Sequence, residues 1–167
     1  MNRENITLIG MPGAGKSTIG VLLAKTMGYD FVDTDLLMQR QYGDVLHVLL
    51  RQNGLDRFKE MEERTLLGFS ARHAVVATGG SAVYSDAGMR HLREISSVFY
   101  IDVPFPELEK RLKNISTRGV VQAKNETLYD LYLHRQPLYL KYADRTVSAA
   151  GLSPELIIER ILALLEE

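Results

Sequence analysis

An octapeptide near the N-terminus has the residue types and the spacing needed to bind a polyphosphate. GMPGAGKS at Gly10–Ser17 matches G-x-x-x-x-G-K-[ST] and lies between the strand-like run ITLI and the helix-like run STIGVLLAKTM. In such a turn, backbone N–H groups and a helix N-terminus converge on the phosphates, while the lysine reaches the β- and γ-phosphates and the serine binds Mg²⁺. The pattern predicts a nucleotide site formed by Gly13, Ala14, Gly15, Lys16, Ser17 and Thr18.

The rest of the chain narrows the class of nucleotide-binding protein. The N-K-x-D motif with which GTPases usually recognise guanine does not occur in the sequence. Motor and AAA-type ATPases carry four apolar residues followed by Asp-Glu, whereas the nearest run here, Val98–Asp102, is followed by Val103. A chain of 167 residues also leaves no room for the further domains of such machines. These observations favour a compact kinase that uses ATP and phosphorylates a small hydroxyl-bearing metabolite.

Two aspartates, in Asp33-Thr34-Asp35, follow the second predicted strand. Ligands of open α/β sheets bind at the carboxyl ends of the strands, so both carboxylates should point into the site. Asp33 could hold Mg²⁺ directly or through water, and Asp35 could accept the proton of an attacking hydroxyl. The alternative is that one of the two only caps the N-terminus of the following helix.

A glycine pair and three basic residues are candidates for binding the second substrate. The tetrapeptide TGGS at 78–81 follows the apolar run AVVA, and paired glycines at a strand end let backbone N–H groups approach an anionic or hydroxylated molecule. A plain tight turn is the alternative. Lys59, Arg118 and Arg135 are the candidate cations, although most lysines and arginines lie on solvent-exposed faces.

The composition of the chain argues against several other classes of protein and of binding partner. The chain is 46% hydrophobic and 25% charged, with a net charge of −1 and no cysteine. This length suits a single domain, here 1–167. The near-zero net charge argues against nucleic acid or an anionic membrane as a partner, and the lack of cysteine is consistent with a reducing cytoplasm. Because the four histidines lack metal-ligand spacing, no zinc site is predicted. We expect a cytoplasmic protein.

Short apolar runs alternate with longer segments of helical period. The predicted strands are 6–9, 30–32, 74–77, 98–103 and 146–148, and the predicted helices are 16–27, 36–41, 45–52, 57–71, 86–93, 106–113, 128–142 and 154–165. Because several strands are apolar throughout, the alternation predicts a three-layer α/β domain with a mainly parallel sheet. The polar segment 115–127 has no clear period and is interpreted either as a functional lid or as a plain surface loop.

Taken together, these motifs resemble the shikimate kinase family over nearly the whole chain. GMPGAGKST, DTD, ATGG and R-x-P-L-Y at Arg135–Tyr139 occur in the family's order and spacing, and G-x-x-x-F-K-x-x-E covers Gly54–Glu62. The resemblance implies a P-loop kinase fold of the nucleoside-monophosphate-kinase type, with a five-stranded parallel sheet. It also implies a helical substrate-binding region at about 35–66 and a lid at about 115–127.

The resemblance assigns roles to individual residues. ATP would be bound by the P-loop residues with Arg111 against the adenine and Arg118 at the phosphates, and Mg²⁺ by Ser17 and by Asp33 through its water shell. The catalytic residues would be Asp35, Lys16 and Arg118. The residues that would bind the second substrate are Asp35, Lys59, Gly79, Gly80, Ser81 and Arg135.

Four features depart from the family pattern, all on the substrate or lid side. Lys59 stands where the family has an arginine, so the planar two-pronged donor of a guanidinium is lost. Leu55 replaces a glutamate, and Ser81 replaces a glycine. The lid reads Gly-Val-Val after Arg118, where the family favours Pro-Leu-Leu. The leading hypothesis is transfer of phosphate from MgATP to the 3-hydroxyl of shikimate by a monomer or weak dimer. The alternatives are a kinase of another small hydroxy acid, such as homoserine or gluconate, and a nucleotide-binding module without catalysis.

Overall fold

The computed structural model describes residues 3–112 and 125–166. Five strands alternate with seven helices along the described chain. The strands are β1 (Asn5–Ile9), β2 (Asp30–Asp33), β3 (Ala74–Ala77), β4 (Ser96–Asp102) and β5 (Arg145–Ser148). The helices are α1 (Lys16–Met27), α2 (Thr34–Tyr42), α3 (Leu46–Leu67), α4 (Asp86–Ile95), α5 (Phe105–Leu112), α6 (Leu128–Tyr142) and α7 (Pro154–Glu166). A short 3₁₀ helix, Ala82–Tyr84, precedes α4.

The strands form one parallel sheet in the order β2-β3-β1-β4-β5. Leu8 in the central strand β1 pairs with Ala77 of β3 on one side and with Phe99 of β4 on the other. Every residue of β1 and β3 is buried, because helices cover both faces of the sheet. The prediction of a three-layer α/β domain with a five-stranded parallel sheet is confirmed.

The apolar core has two parts. The larger part packs sheet residues such as Leu8 and Phe99 against helix residues such as Leu23 and Ile161. The smaller part lies between α2 and α3 and consists of the buried residues Met38, Leu49, Phe58 and Met61. The region around residues 35–66 therefore has a small core of its own beside the sheet.

Most element boundaries match the predicted ones within two residues, and the exceptions have local causes. The predicted break between helices 45–52 and 57–71 is present, because α3 consists of two helical segments joined at Gly54, which has non-helical angles (φ 76°, ψ 171°). The helix ends at Leu67 rather than at residue 71, since Phe69 turns into the core. The 3₁₀ helix Ala82–Tyr84 was not predicted. Its three residues are too few to show a period.

The predicted lid, 115–127, lies almost entirely outside the described residues, as does Arg118. Its last three residues are described. The Thr127 hydroxyl accepts from the Asp130 N–H, and the Asp130 carboxylate accepts from the Thr127 N–H, which forms a capping box at the start of α6. Within 3–112 and 125–166, no helix is both long and apolar enough to span a lipid bilayer.

Candidate active site

A cleft of about 500 Å³ lies at the carboxyl ends of β1, β2 and β3, where ligands of open α/β sheets bind. Its lining combines the predicted nucleotide loop, the end of β2, parts of α2 and α3, the residues after β3, and one residue of α6. The lining residues are Pro12, Gly13, Gly15, Lys16, Ser17, Thr18, Asp33, Asp35, Leu36, Gln39, Val45, Leu46, His47, Phe58, Thr78, Gly79, Gly80, Ser81 and Arg135.

The P-loop links β1 to α1 and wraps around a buried lysine. The Lys16 ammonium donates to the carbonyl oxygens of Gly10 (2.7 Å) and Met11 (2.8 Å). Gly10 must be glycine, because a Cβ there would lie 2.8 Å from the Ile101 carbonyl oxygen. Gly15 caps α1 in the left-handed region (φ 88°), which glycine enters without steric cost. The loop therefore has the conformation and the charge of a phosphate-binding turn.

Ser17 and Asp33 bring two oxygen ligands together at the start of α1 and the end of β2. The Ser17 hydroxyl donates to Asp33 Oδ2 at 2.9 Å. The other carboxylate oxygen of Asp33 accepts from the Asp35 N–H at 2.9 Å, so Asp33 is also the N-cap of α2. Mg²⁺ binds through one or two protein oxygens together with waters and phosphates, so this pair suits it. Among residues 3–112 and 125–166, no cluster of three or more His, Cys, Asp or Glu could hold a metal alone.

Two carboxylates lie close to the end of β3. A Cβ added at Gly79 would be 2.5 Å from Asp35 Oδ1 and 2.9 Å from Glu62 Oε1, so a side chain at this position would displace the carboxylates. The Gly79 N–H donates to the buried Thr34 hydroxyl at 3.2 Å. A Cβ at Gly80 would likewise lie 2.8 Å from Arg135 Nη1. The structure thus places Gly79 beside the predicted carboxylate, Asp35, and Gly80 beside the predicted arginine, Arg135.

Arg135 is fully buried on α6 and lines the cleft. Its Nε donates to the Tyr84 hydroxyl at 3.2 Å, and its guanidinium carbon lies 5.2 Å from the centre of the Tyr84 ring. The Lys59 ammonium lies 4.5 Å from the centre of the same ring. Lys59 does not line the main cleft. It lines a neighbouring cavity of about 150 Å³, and Ser81 lines both.

Glu62 is a buried carboxylate that the sequence motifs did not assign to the site. It accepts a 2.7 Å hydrogen bond from the Ser81 hydroxyl. Burial raises the pKa of Glu62 to about 7, and the negative charge of Asp35 acts in the same direction, whereas Arg135 opposes the rise. A sequence signal exists, because Glu62 follows Phe58 by four residues on the inward face of α3. A charged residue on that apolar stripe requires partners inside the protein.

The remaining predicted nucleotide residues lie beside the cleft. Arg111 donates from Nη1 to the Gly13 carbonyl oxygen at 3.0 Å and so contacts the P-loop from α5. The buried Ala14 does not line the cleft, and its N–H donates to the Met11 carbonyl oxygen at 3.1 Å. Contact of either residue with ATP stays a prediction, as does the role of Arg118.

Lining residues that the sequence analysis missed come mainly from α2 and the start of α3. They are Leu36, Gln39, Val45, Leu46, His47 and Phe58. All lie within 35–66, the region that the resemblance implied for the second substrate. Gln39 Oε1 also accepts from the Leu46 N–H at 3.1 Å and so joins α2 to the N-terminus of α3.

A P-loop at the centre of a five-stranded parallel sheet, with a carboxylate and a buried arginine in the same cleft, defines a P-loop kinase of small molecules. Comparison with known proteins identifies the family. The model of the shikimate kinase family matches residues 12–166. The chain belongs to the shikimate kinase family and is an ATP-dependent kinase.

Individual relatives match this chain over nearly its whole length. The shikimate kinase of Thermodesulfovibrio yellowstonii is 35% identical over 162 residues, which cover 95% of this chain and 93% of that protein. The solved structure of shikimate kinase from Acinetobacter baumannii in complex with shikimate has a TM-score of 0.90 and 29% identity, and covers 98% of this chain and 93% of that one. Shikimate kinase from Aquifex aeolicus gives a TM-score of 0.83 at 28% identity, with 97% and 96% covered.

Proposed function

We propose that this kinase transfers the γ-phosphoryl group of ATP, bound with Mg²⁺, to the 3-hydroxyl of shikimate. The observation that carries the proposal is the convergence of Lys16, Asp35 and Arg135 on one cleft. The first two supply a phosphate-binding cation and a proton acceptor, and the third supplies a buried cation for a carboxylate on the acceptor. Similarity to the A. baumannii enzyme, whose structure contains shikimate, supports the choice of acceptor.

The residues of the chain would act mainly by positioning and electrostatics, since phosphoryl transfer requires little covalent work from the protein. Mg²⁺, when bound, neutralises phosphate charge, and Ser17 and Asp33 would hold it. Lys16 would stabilise charge on the transferred group. Asp35 would orient or deprotonate the acceptor hydroxyl, and Arg135 would hold the acceptor carboxylate. A role of Arg118 in a closing lid at 115–127 remains part of the proposal.

The experiment that tests the acceptor measures ADP release with shikimate, homoserine and gluconate in parallel, against a control without acceptor. We expect turnover with shikimate well above the control and above the other two acids. Turnover with homoserine or gluconate but none with shikimate at millimolar concentration would overturn the acceptor and retain the kinase. Tight ATP binding with no turnover on any acid would instead favour the non-catalytic module.

Three further predictions accompany the proposal. Cytoplasmic location rests on the absence of cysteine, which is consistent with a reducing compartment. A monomeric or weakly dimeric state, and the lack of nucleic-acid or membrane partners, rest on the composition and on the resemblance to the family. Size-exclusion chromatography with light scattering would test the oligomeric state.

A further inference from the structure

Ser81 makes a hydrogen bond that the glycine of the family pattern could not make. It is 5% exposed, directly precedes the 3₁₀ helix Ala82–Tyr84, and lines both the cleft and the neighbouring cavity. Its hydroxyl donates to Oε2 of Glu62 on α3 at 2.7 Å. Glu62 lines only the neighbouring cavity, so the hydrogen bond links that cavity to the cleft through Ser81.

The second oxygen of Glu62 lies close to Gly79, which lines the cleft. Oε1 lies 2.9 Å, and Asp35 Oδ1 2.5 Å, from the position of a Cβ built on Gly79. The two carboxylates therefore flank the same point of the backbone after β3. Because Asp35 is the residue proposed to meet the acceptor hydroxyl, the charge and the orientation of Glu62 bear directly on that position.

Charged groups from three helices face Glu62. Asp35 on α2 repels its negative charge, whereas Arg135 on α6 and Lys59 on α3 attract it. The negative charge of Glu62 also acts on the buried Tyr139 of α6. Burial raises the pKa of the Tyr139 phenol, and this charge raises it further. Ionised Glu62 is thus attracted to both cations that lie over the Tyr84 ring.

The Ser81 hydroxyl has a large influence on whether Glu62 is ionised. Burial raises the pKa of Glu62 to about 7, and the hydrogen bond from Ser81 is the strongest of the influences that oppose the rise, ahead of Arg135 and Lys59. A donor bonded to a carboxylate favours its charged form. With the pKa this close to neutrality, removal of one donor changes the ionised fraction substantially.

We propose that Ser81 is a positioning residue of the acceptor site, whose hydroxyl holds the ionised Glu62 carboxylate beside Asp35 and facing Arg135. It acts through Glu62 and does not itself contact the transferred group. The inference rests on the proposed function only in taking this cleft as the place of phosphoryl transfer and Arg135 as the cation for the acceptor. It makes the pH dependence of acceptor use depend on a residue that differs from the family pattern.

The kinetic test compares wild type, Ser81→Ala and Ser81→Thr in kcat/KM for the acceptor from about pH 5 to about pH 9. Loss of the hydroxyl should shift the acidic limb of the pH profile of kcat/KM to higher pH by about one unit. A hydrogen bond to a charged group is worth roughly the free energy of such a shift. Near neutral pH we expect a severalfold loss in kcat/KM for the acceptor and an unchanged KM for ATP. Ser81→Thr, which keeps a hydroxyl, should restore the limb.

Ser85→Ala is the matched control. The Ser85 hydroxyl also donates to a glutamate of α3, Glu63, and it accepts from the Gly88 N–H at the start of α4. The control thus removes an equivalent bond away from the main cleft. We expect it to lower the melting temperature without moving the acidic limb. An equal shift of the limb in Ser85→Ala would show a general loss of structure and would overturn the inference.

A second measurement needs no acceptor. The side-chain carboxyl carbons of the glutamates are labelled with ¹³C, and their chemical shifts are followed by NMR as the pH is changed. The signal of Glu62 is assigned as the one that is missing in Glu62→Gln. The Glu62 midpoint should be higher in Ser81→Ala than in wild type, and an unchanged midpoint would overturn the inference. If shikimate proves not to be the acceptor, the kinetic assay fails for wild type as well, while this titration still decides the role of Ser81.

Discussion

Asp35 is only partly buried, and its carboxylate is directed toward the backbone at Gly79 within the cleft. The second carboxylate at that point, Glu62, is 6% exposed and accepts a hydrogen bond from Ser81. Two acidic groups so close together need different environments if both are to be useful, since like charges raise each other's pKa. Asp35 lines the cleft and can therefore meet an acceptor hydroxyl, whereas the buried Glu62 faces the neighbouring cations Arg135 and Lys59.

Replacement of Asp35 by asparagine should therefore remove the base and leave the nucleotide site intact. We expect turnover to fall by roughly 10²–10⁴-fold, the usual range for loss of general-base catalysis. ATP affinity, measured by isothermal titration calorimetry, should stay within a factor of about three, well below the tenfold that 1.4 kcal/mol represents. A variant with wild-type turnover would contradict the assignment of Asp35.

Glu62 should make stability fall as the pH rises. Its pKa is raised by burial from 4.5 to about 7 in the folded protein, so the folded state binds more protons than the unfolded state between these values. Folding is then penalised progressively from about pH 5 to about pH 8, by up to about 3 kcal/mol. Glu62→Gln removes this penalty and should be more stable than wild type near pH 8, with a much smaller difference near pH 5.

Urea unfolding at the two pH values measures this difference. Glutamine can still accept from the Ser81 hydroxyl, so the comparison isolates the charge. An equal difference in the free energy of unfolding at both pH values would show that Glu62 titrates at an ordinary pKa. A gain in stability near pH 8 together with a loss of activity would show that the ionised carboxylate is kept for function at the expense of stability.

The turns at the ends of β1 and β2 each combine a structural and a chemical task. Asp33 uses one carboxylate oxygen to cap α2 and the other to accept from Ser17 at the start of α1. From the sequence, an aspartate of the DTD motif could either cap the following helix or take part in Mg²⁺ binding or catalysis. In the structure one side chain caps α2 and also lies where a Mg²⁺ ligand is expected, because β2 ends beside the P-loop.

Asp33→Asn separates the two tasks. Asparagine caps helices about as well as aspartate, so the free energy of unfolding should change by less than about 1 kcal/mol. An amide is a much poorer Mg²⁺ ligand than a carboxylate, so we expect the Mg²⁺ concentration needed for half-maximal turnover to rise at least about tenfold. Chemical denaturation and a Mg²⁺ titration of ADP release measure the two effects. Reduced stability with an unchanged Mg²⁺ requirement would make Asp33 a capping residue only.

The P-loop leaves the central strand of the whole domain. Each residue of β1 is buried, and β1 pairs with β3 on one side and β4 on the other. A ligand bound at Gly10–Ser17 therefore contacts a loop that continues directly from the buried central strand. Ligands that bind only the folded state stabilise it in proportion to the logarithm of their concentration over Kd.

Addition of MgATP at about one hundred times its Kd should stabilise the protein by about 2.7 kcal/mol. For a chain of this size that corresponds to a rise in melting temperature of roughly 5–10 °C. Lys16→Ala should lose most of this rise at the same ATP concentration. Differential scanning fluorimetry over an ATP series gives both curves, and an equal rise in the variant would show that ATP binds elsewhere.

Chemistry carried by contiguous residues could be predicted from the sequence. The octapeptide at Gly10–Ser17, the pair Asp33 and Asp35, and the glycines at 79 and 80 follow predicted strands, and a parallel sheet brings all strand ends to one edge. The alternation of apolar runs and helical segments likewise predicted the three-layer fold. These conclusions hold because period and local spacing depend on neighbouring residues only.

Contacts between distant residues were decided by packing. Three contacts depend on how the helices pack against the sheet. They are the hydrogen bond between Ser81 and Glu62, the position of Lys59 and Arg135 around the Tyr84 ring, and the contact of Arg111 with Gly13. No local pattern encodes such distances, since a small rotation of α3 or α6 would change the partners without changing the period. The position of the P-loop at the end of the central strand was therefore predictable from the sequence. The balance of charges on the acceptor side arises only in the folded protein.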